Sequence, residues 1–194
     1  MTALVILDLG SGNTDSIRLA FQRLAIEAVL TDDPHVAEHA DRLVLPGVGA
    51  AGFAMAKLRD KQLIDPLKRR TGPLLGICLG MQLLFDASDE ADTACLGLIP
   101  GRVRAMAPAP GLPVPHMGWT AIEDAAPGIG LADGDYVFFA HGFACPDTPA
   151  TAARATYGDA IPAAVRQRNL WGAQFHPERS SRAGAAFLAA FLAS

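Results

Sequence analysis

A cysteine that lies between two glycines is the side chain of this sequence best placed for nucleophilic chemistry. Cys78 stands within residues 76–82, after a short apolar run at 73–77 and before a second one at 81–85. This Gly-x-Cys-x-Gly pattern is typical of a strand-to-helix turn that raises a nucleophile above a sheet, because glycine permits the sharp bend. Backbone N–H groups at the helix start favour a thiolate, and the N–H of Leu79 would face an oxyanion. Taken alone, Cys78 could equally be a small buried core residue.

A histidine and a glutamate near the C-terminus supply the groups that such a nucleophile needs. The apolar run 170–175 reads as a buried strand that leads directly into His176, Pro177 and Glu178. Catalytic groups of open α/β sheets lie at strand ends. His176 could act as general base and acid for Cys78, and Glu178 could orient the imidazole. By itself this tripeptide would more often be a loop, but together with Cys78 it favours acyl transfer.

The two segments together resemble the class I, or triad, glutamine amidotransferases. The resemblance is carried by residues 76–82, Gly-Ile-Cys-Leu-Gly-Met-Gln, and by residues 174–178, Gln-Phe-His-Pro-Glu. Three further segments are similar to the glutaminase subunits of imidazole glycerol phosphate synthase: residues 10–13, 46–50 and 114–119. The resemblance extends from about the first strand to the last helix.

The resemblance implies a fold, a reaction and a set of site residues. The fold would be α/β and three-layered, a central mostly parallel sheet with flanking helices and added antiparallel strands. A Cys-His-Glu triad would hydrolyse L-glutamine to glutamate and ammonia through a thioester, with no cofactor and no metal. The implied residues are Cys78, His176 and Glu178 in the triad, the backbone of Val48 and Leu79 in the oxyanion hole, and Gly47, Gly49, Gln82, Glu90, Gly142 and Phe143 around the substrate. Glu90 could instead be a solvated charge in the acidic stretch 86–92.

Released ammonia requires a receiving partner, because bulk water at neutral pH would protonate most of it. The resemblance implies a heterodimer with a (β/α)8-barrel cyclase subunit, which forms imidazole glycerol phosphate and aminoimidazole carboxamide ribotide in histidine biosynthesis. By analogy Asn13, His116, Met117 and Trp119 would lie near that interface. Trp119 could equally be a core aromatic residue.

The order of elements along the chain agrees with a single amidotransferase domain over residues 1–194. Apolar runs at 4–7, 26–30 and 43–45, with a helical pattern at 16–24, predict a parallel sheet with helical crossovers. After residue 101, glycine and proline divide the chain into short pieces that read as antiparallel strands added to this sheet. These pieces are residues 102–106, 136–140, 152–157 and 163–166, with an irregular loop at 107–111 and a closing helix at 181–192.

Composition excludes several classes of protein. Of 194 residues 51% are hydrophobic and 19% are charged, so disorder is implausible. A formal charge of −4 argues against nucleic acid as the main partner, and no apolar run is long enough to span a bilayer. The three cysteines lack C-x-x-C spacing, and the first eight residues lack the basic start of a signal peptide. We expect a cytoplasmic protein.

Residues 47–52 support a competing interpretation, because Gly-Val-Gly-Ala-Ala-Gly matches the G-x-G-x-x-G dinucleotide fingerprint. That fingerprint normally follows the first strand of a βαβ unit and has an acid about twenty residues on. Here it follows the third strand, Pro46 interrupts the approach, and Thr71 and Gly72 stand at that distance. A non-catalytic nucleotide-binding module is therefore the weaker hypothesis.

A different class I glutaminase is the second alternative, such as one that serves anthranilate, aminodeoxychorismate or guanylate synthesis. Residues 46–49 and 116–119 favour the imidazole glycerol phosphate synthase subunits over those families.

The chain departs from the resembled family at two places. A hydroxyl-bearing residue and a tyrosine are common after the histidine where this chain has His141, Gly142 and Phe143, which puts side-chain contacts to the substrate in doubt. Arg179 replaces a usual lysine.

Overall fold

The computed structural model describes residues 4–10 and 13–194, which form thirteen strands and six α-helices. The strand-to-helix turn around Cys78, residues 76–80, is called the elbow below. The elements up to and including the helix that follows Cys78 are β1 Leu4–Leu7, α1 Thr14–Gln22, β2 Ala28–Thr31, α2 Pro34–His39, β3 Arg42–Leu45, α3 Ala51–Asp60, α4 Ile64–Arg69, β4 Leu74–Ile77 and α5 Leu79–Leu83. The remainder are β5 Phe85–Ser88, β6 Thr93–Ala94, β7 Ile99–Ala105, β8 His116–Ala121, β9 Tyr136–His141, β10 Phe143–Ala144, β11 Thr151–Tyr157, β12 Asp159–Gln167, β13 Leu170–Ala173 and α6 Ser181–Leu192.

A seven-stranded sheet in the order β11-β12-β13-β4-β3-β1-β2 forms the centre of the fold. The five strands from β13 to β2 pair in parallel, and β12 and β11 add an antiparallel edge. The central strands are apolar on both faces because helices cover both sides. Leu4 and Ile6 pack with α1 and α6, whereas Val5 and Leu7 pack with α3 and α4. The predicted three-layer α/β arrangement is thus confirmed, and it brings the ends of β4 and β13 side by side.

Two smaller sheets lie outside the central one, and here the expectation of strands simply added to the main sheet is wrong in part. β10, β7, β5 and β6 form a four-stranded sheet in which β7 pairs in parallel with β5, and β8 and β9 form an antiparallel ribbon. The apolar run 81–85 after Cys78 has the pattern of a helix packed on a sheet, but the helix ends at Leu83, because Phe85 pairs with Ile99 as the start of β5. Tertiary pairing overrides the local apolar pattern at this point.

None of the helices in the described ranges is long and apolar enough to cross a membrane.

Candidate active site

The turn from β4 to α5 holds Cys78 in a strained backbone conformation. Cys78 has φ 53° and ψ −112°, a region that side-chain-bearing residues rarely adopt, and its N–H donates to the carbonyl of Ala173 at 2.7 Å. The flanking glycines allow close packing that a side chain would prevent. A Cβ atom on Gly76 would lie 2.5 Å from the carbonyl oxygen of Gly80, and one on Gly80 would lie 1.9 Å from that of Leu45. The predicted sharp turn is present at Cys78.

His176 and Glu178 follow the neighbouring strand β13 and form a buried pair. The His176 N–H donates to the carbonyl of Phe138 at 2.8 Å, which fixes the backbone where the strand ends. The Nδ1 atom of His176 lies 2.8 Å from Oε1 of Glu178, whose side chain is only 1% exposed. Since a carboxylate oxygen accepts, Nδ1 donates, and the other ring nitrogen is left for Cys78.

The electrostatics of this pair favour an imidazolium. Burial by itself lowers the pKa of His176, but hydrogen bonds to Cys78 and Glu178, with their negative charges, outweigh burial and raise the pKa to about 10. A protonated His176 beside Cys78 stabilises a thiolate and carries the proton that a leaving amine needs.

A cavity of about 440 Å³ opens over Cys78 and collects most of the residues predicted for the site. Its lining includes the following members of the predicted set: Asn13, Val48, Gly49, Cys78, Leu79, Gln82, Glu90, Gly142, Phe143, His176 and Glu178. Val48 and Leu79 reach it from two different segments, the loop after β3 and the elbow. That arrangement suits two backbone donors directed at one oxyanion.

Gly47 is the one predicted substrate residue that does not line this cavity. A Cβ atom at Gly47 would lie 2.7 Å from the backbone nitrogen of Gly80. The absence of a side chain therefore lets the loop after β3 lie directly against the elbow. Gly47 therefore has a packing role, and its contact with the substrate stays a prediction.

Gln82 is buried, and its amide nitrogen is already used. Nε2 donates to the carbonyl of Phe143 and to Oε1 of Gln174, both at 3.0 Å. Both N–H bonds are thereby occupied, so only Oε1 of Gln82 is available to a substrate, as an acceptor. An ammonium group fits that acceptor, whereas a carboxylate does not.

Glu90 is half-buried at the cavity wall, in contrast to the alternative of a solvated charge. Its Oε2 accepts the N–H of Ala51, the first residue of α3, at 2.6 Å. The carboxylate thus holds the end of the loop that carries Val48 and Gly49, and it presents negative charge to the cavity.

The four residues expected at a partner interface divide into two groups. Met117 and Trp119 are 66% and 50% exposed on β8, and exposed Asn13 lines the cavity mouth. His116 is 2% exposed and belongs to the interior, and its predicted place near the partner interface stays a prediction. It faces inward because alternate residues of a strand point to opposite sides.

Gln174, His141 and Arg179 were not singled out by sequence reasoning as site residues. Gln174 is fully buried, and its Nε2 lies 3.9 Å from the sulfur of Cys78. His141 and Arg179 line the cavity, and the Arg179 guanidinium lies 4.0 Å over the ring of Phe138. For Gln174 a signal was available in the sequence: a glutamine stands in an otherwise apolar run two residues before His176. Because burying an amide without a hydrogen-bond partner is costly, such a glutamine is expected to bond to other polar groups of the site.

Comparison with known proteins identifies the family of this chain. The family model "Glutamine amidotransferase class-I" matches residues 5–194. Among curated relatives, the "Imidazole glycerol phosphate synthase subunit HisH" of Xanthomonas campestris pv. campestris (strain 8004) is 48% identical over 99% of this chain and 98% of its own. The protein of that name from Xylella fastidiosa (strain Temecula1 / ATCC 700964) shows the same identity and the same coverage.

Solved structures agree on the fold. A glutamine amidotransferase crystal structure matches with a TM-score of 0.76 at 22% identity, over 98% of this chain and 97% of its own. PurLQS from Thermotoga maritima matches with a TM-score of 0.70 at 19% identity, over 100% and 99%. The chain therefore belongs to the class I glutamine amidotransferases, in the group of the HisH subunits of imidazole glycerol phosphate synthase.

Proposed function

We propose that this chain is the glutaminase subunit of an imidazole glycerol phosphate synthase. The observation that carries the proposal is a single cavity that contains Cys78 on a strained elbow, the His176–Glu178 pair and the Glu90 carboxylate. The 48% identity to HisH subunits over nearly the whole chain supports the same reaction and the same assembly.

Hydrolysis proceeds in two halves. The thiolate of Cys78 attacks the side-chain amide carbon of L-glutamine, and the N–H groups of Val48 and Leu79 hold the resulting oxyanion. The His176 imidazolium gives its proton to the departing ammonia, which leaves a thioester on the sulfur. The now neutral His176 takes a proton from water, the hydroxide adds to the thioester, and glutamate leaves as Cys78 returns to thiolate.

Substrate orientation follows from the acceptors in the cavity. Glu90 keeps Oε1 free while Oε2 holds Ala51, and Gln82 offers only its Oε1. Both oxygens suit the α-ammonium group of glutamine. Phe143 cannot contribute its carbonyl, which already accepts from Gln82 and His141, so contacts from that segment come from backbone N–H groups.

The ribbon of β8 and β9 beside the cavity is the proposed contact with the partner. Met117 and Trp119 are joined there by Tyr136, which is 61% exposed, and Trp119 packs edge-on against Phe138. Large exposed apolar side chains of this kind are typical of interfaces. The partner would be a (β/α)8-barrel cyclase subunit that receives the ammonia and forms imidazole glycerol phosphate and aminoimidazole carboxamide ribotide.

The test is glutamate release from glutamine, first by the chain alone and then with the purified cyclase subunit and its ribotide ligand. Strong stimulation by the loaded cyclase is the expected result. Hydrolysis that does not respond to the cyclase would contradict the assignment to this synthase. Absence of hydrolysis in both conditions would contradict the glutaminase function itself.

A further inference from the structure

Two buried histidines outside the proposed triad are joined by a continuous series of hydrogen bonds. Nδ1 of His141 lies 2.8 Å from the carbonyl oxygen of Phe143, and Nε2 of His141 lies 3.2 Å from Nδ1 of His116. Nε2 of His116 in turn lies 2.9 Å from the hydroxyl oxygen of Thr120. The series runs from β8 to the segment after β9 that borders the glutamine cavity.

The direction of every bond in this series follows from its last acceptor. A carbonyl oxygen only accepts, so His141 donates from Nδ1. Burial lowers the pKa of His141 to about 4 and also lowers the pKa of His116, so both rings are neutral at neutral pH. Nε2 of His141 is then an acceptor, His116 must donate from Nδ1, and Thr120 must donate its hydroxyl proton to Nε2 of His116.

The carbonyl of Phe143 joins this series to the catalytic side of the cavity. It also accepts from Nε2 of Gln82, which donates to Gln174 as well, and Gln174 lies against the sulfur of Cys78. His116 has no part in the proposed chemistry, yet it is held tightly. Its ring stacks on Tyr157 at 3.9 Å and on Phe139 at 4.9 Å between centroids.

We propose that His116 is a positioning residue: by donating to His141 it fixes the tautomer of His141 and so places the Phe143 carbonyl that orients Gln82 for substrate. This inference rests on the proposed glutaminase function. It assigns to β8 an inner face that acts on substrate binding, in addition to the outer face that carries Met117 and Trp119. The effect is expected on the KM for glutamine more than on kcat, because the series ends at binding groups.

The first test needs no activity. In ¹⁵N-histidine spectra of the wild-type chain, His116 and His141 should both carry the proton on Nδ1 and none on Nε2 at pH 7. The chain has only five histidines, so assignment by single substitutions is practical. A proton on Nε2 of either ring would overturn the proposal.

The second test is kinetic, with the chain in complex with its cyclase subunit. His116→Phe keeps an aromatic ring for Tyr157 and Phe139 to stack on but cannot donate. Loss of one buried hydrogen bond should raise the KM for glutamine by about tenfold and change kcat by less than about threefold. His116→Asn, whose amide N–H can replace Nδ1–H, should restore much of the binding. Thr120→Val, a milder change on a partly exposed residue, should raise KM by about two- to threefold.

Tyr157→Phe is the matched control, because it keeps the ring against His116 and loses only the hydroxyl contact to the Pro113 carbonyl. It should leave KM unchanged. An unchanged KM in His116→Phe, or an equal rise of KM in Tyr157→Phe, would overturn the positioning role. The proposed function would stand in that case, provided that the wild-type complex hydrolyses glutamine. A wild-type complex without glutaminase activity would overturn the function, and the tautomer measurement would still decide the hydrogen-bond series.

Discussion

Two buried histidines line the same cavity, and their pKa values are shifted from the ordinary value of histidine in opposite directions. His176 and His141 are 9% and 5% exposed. Burial alone lowers the pKa of both, yet hydrogen bonds and charges from Cys78 and Glu178 raise that of His176 to about 10. For His141 burial dominates, the nearby His116 and His176 lower the pKa further, and the bond to the Phe143 carbonyl does not compensate, so the pKa falls to about 4.

The difference shows that burial alone keeps a ring neutral, as in His141, and that charged partners can override burial, as in His176. His176 can hold a proton for a leaving group because a carboxylate and a thiolate stabilise the imidazolium. His141 stays neutral and can serve only as a fixed donor and acceptor. One cavity thus contains an acid–base histidine and a structural histidine, distinguished by the groups that each one touches.

Removal of the nucleophile on which His176 acts should have the largest effect on activity. Cys78→Ala leaves no atom to form the thioester, and we expect glutamine-dependent synthesis by the complex to fall by at least about 10⁴-fold. Synthesis from added ammonium salt should persist, because the cyclase does not need the thiol. Loss of both activities would instead indicate that Cys78 is structural.

Replacing the carboxylate should make His176 more like His141. Glu178→Gln keeps the side-chain shape but removes the charge that stabilises the imidazolium, so the pKa of His176 should fall and kcat should drop on the order of 10³-fold. NMR titration of His176 and steady-state kinetics measure the two effects. Glu123→Gln, at an exposed carboxylate bonded to Thr156, is the control and should change neither.

Stability should respond to acid through His141. Its folded-state pKa lies below the unfolded value near 6.5, so the unfolded chain takes up the proton first, and stability falls as pH falls from about 6.5 to 4. The fall of the His141 pKa from 6.5 to about 4 corresponds to about 3 kcal/mol in the free energy of unfolding. His141→Asn keeps a donor for the Phe143 carbonyl without titrating.

Urea unfolding at pH 7 and at pH 4.5 should therefore show a smaller acid-induced loss in His141→Asn than in the wild type. Equal losses in the two proteins would contradict a neutral His141. His176 has the opposite sign: the stability it contributes is present below about pH 6.5 and is lost as pH rises through about 10.

The smallest effect is expected outside the cavity. If His116 acts from inside the fold, contact with the partner must come from the residues that alternate with it on β8. Trp119→Ala should weaken association with the cyclase subunit by about tenfold, as expected for an aromatic interface residue, and calorimetric titration measures the loss. Unaltered affinity would place the partner contact elsewhere.

The fold, the turn at Cys78 and the triad candidates could be predicted from local signals in the sequence, whereas the rest of the predicted cavity lining was implied by the resemblance to the class I amidotransferases. The apolar strands, the glycines around Cys78 and the tripeptide at His176 identified the sheet, the elbow and the proposed triad. The inward side of His116, the packing role of Gly47 and the occupied amide of Gln82 could not be predicted in this way. Each depends on which distant segment lies opposite, such as β9, the elbow or Gln174.

The most direct test of the central claim is covalent labelling by an electrophilic analogue of glutamine, read by mass spectrometry on the intact chain and its peptides. The chain supplies internal controls, because burial raises the pKa of Cys95 to about 11 and raises that of Cys145 well above its usual range. We predict one label, on Cys78, that excess glutamine prevents and that Glu178→Gln slows. No label, or a label on Cys95 or Cys145 in place of Cys78, would contradict the assignment of Cys78, His176 and Glu178 as the triad.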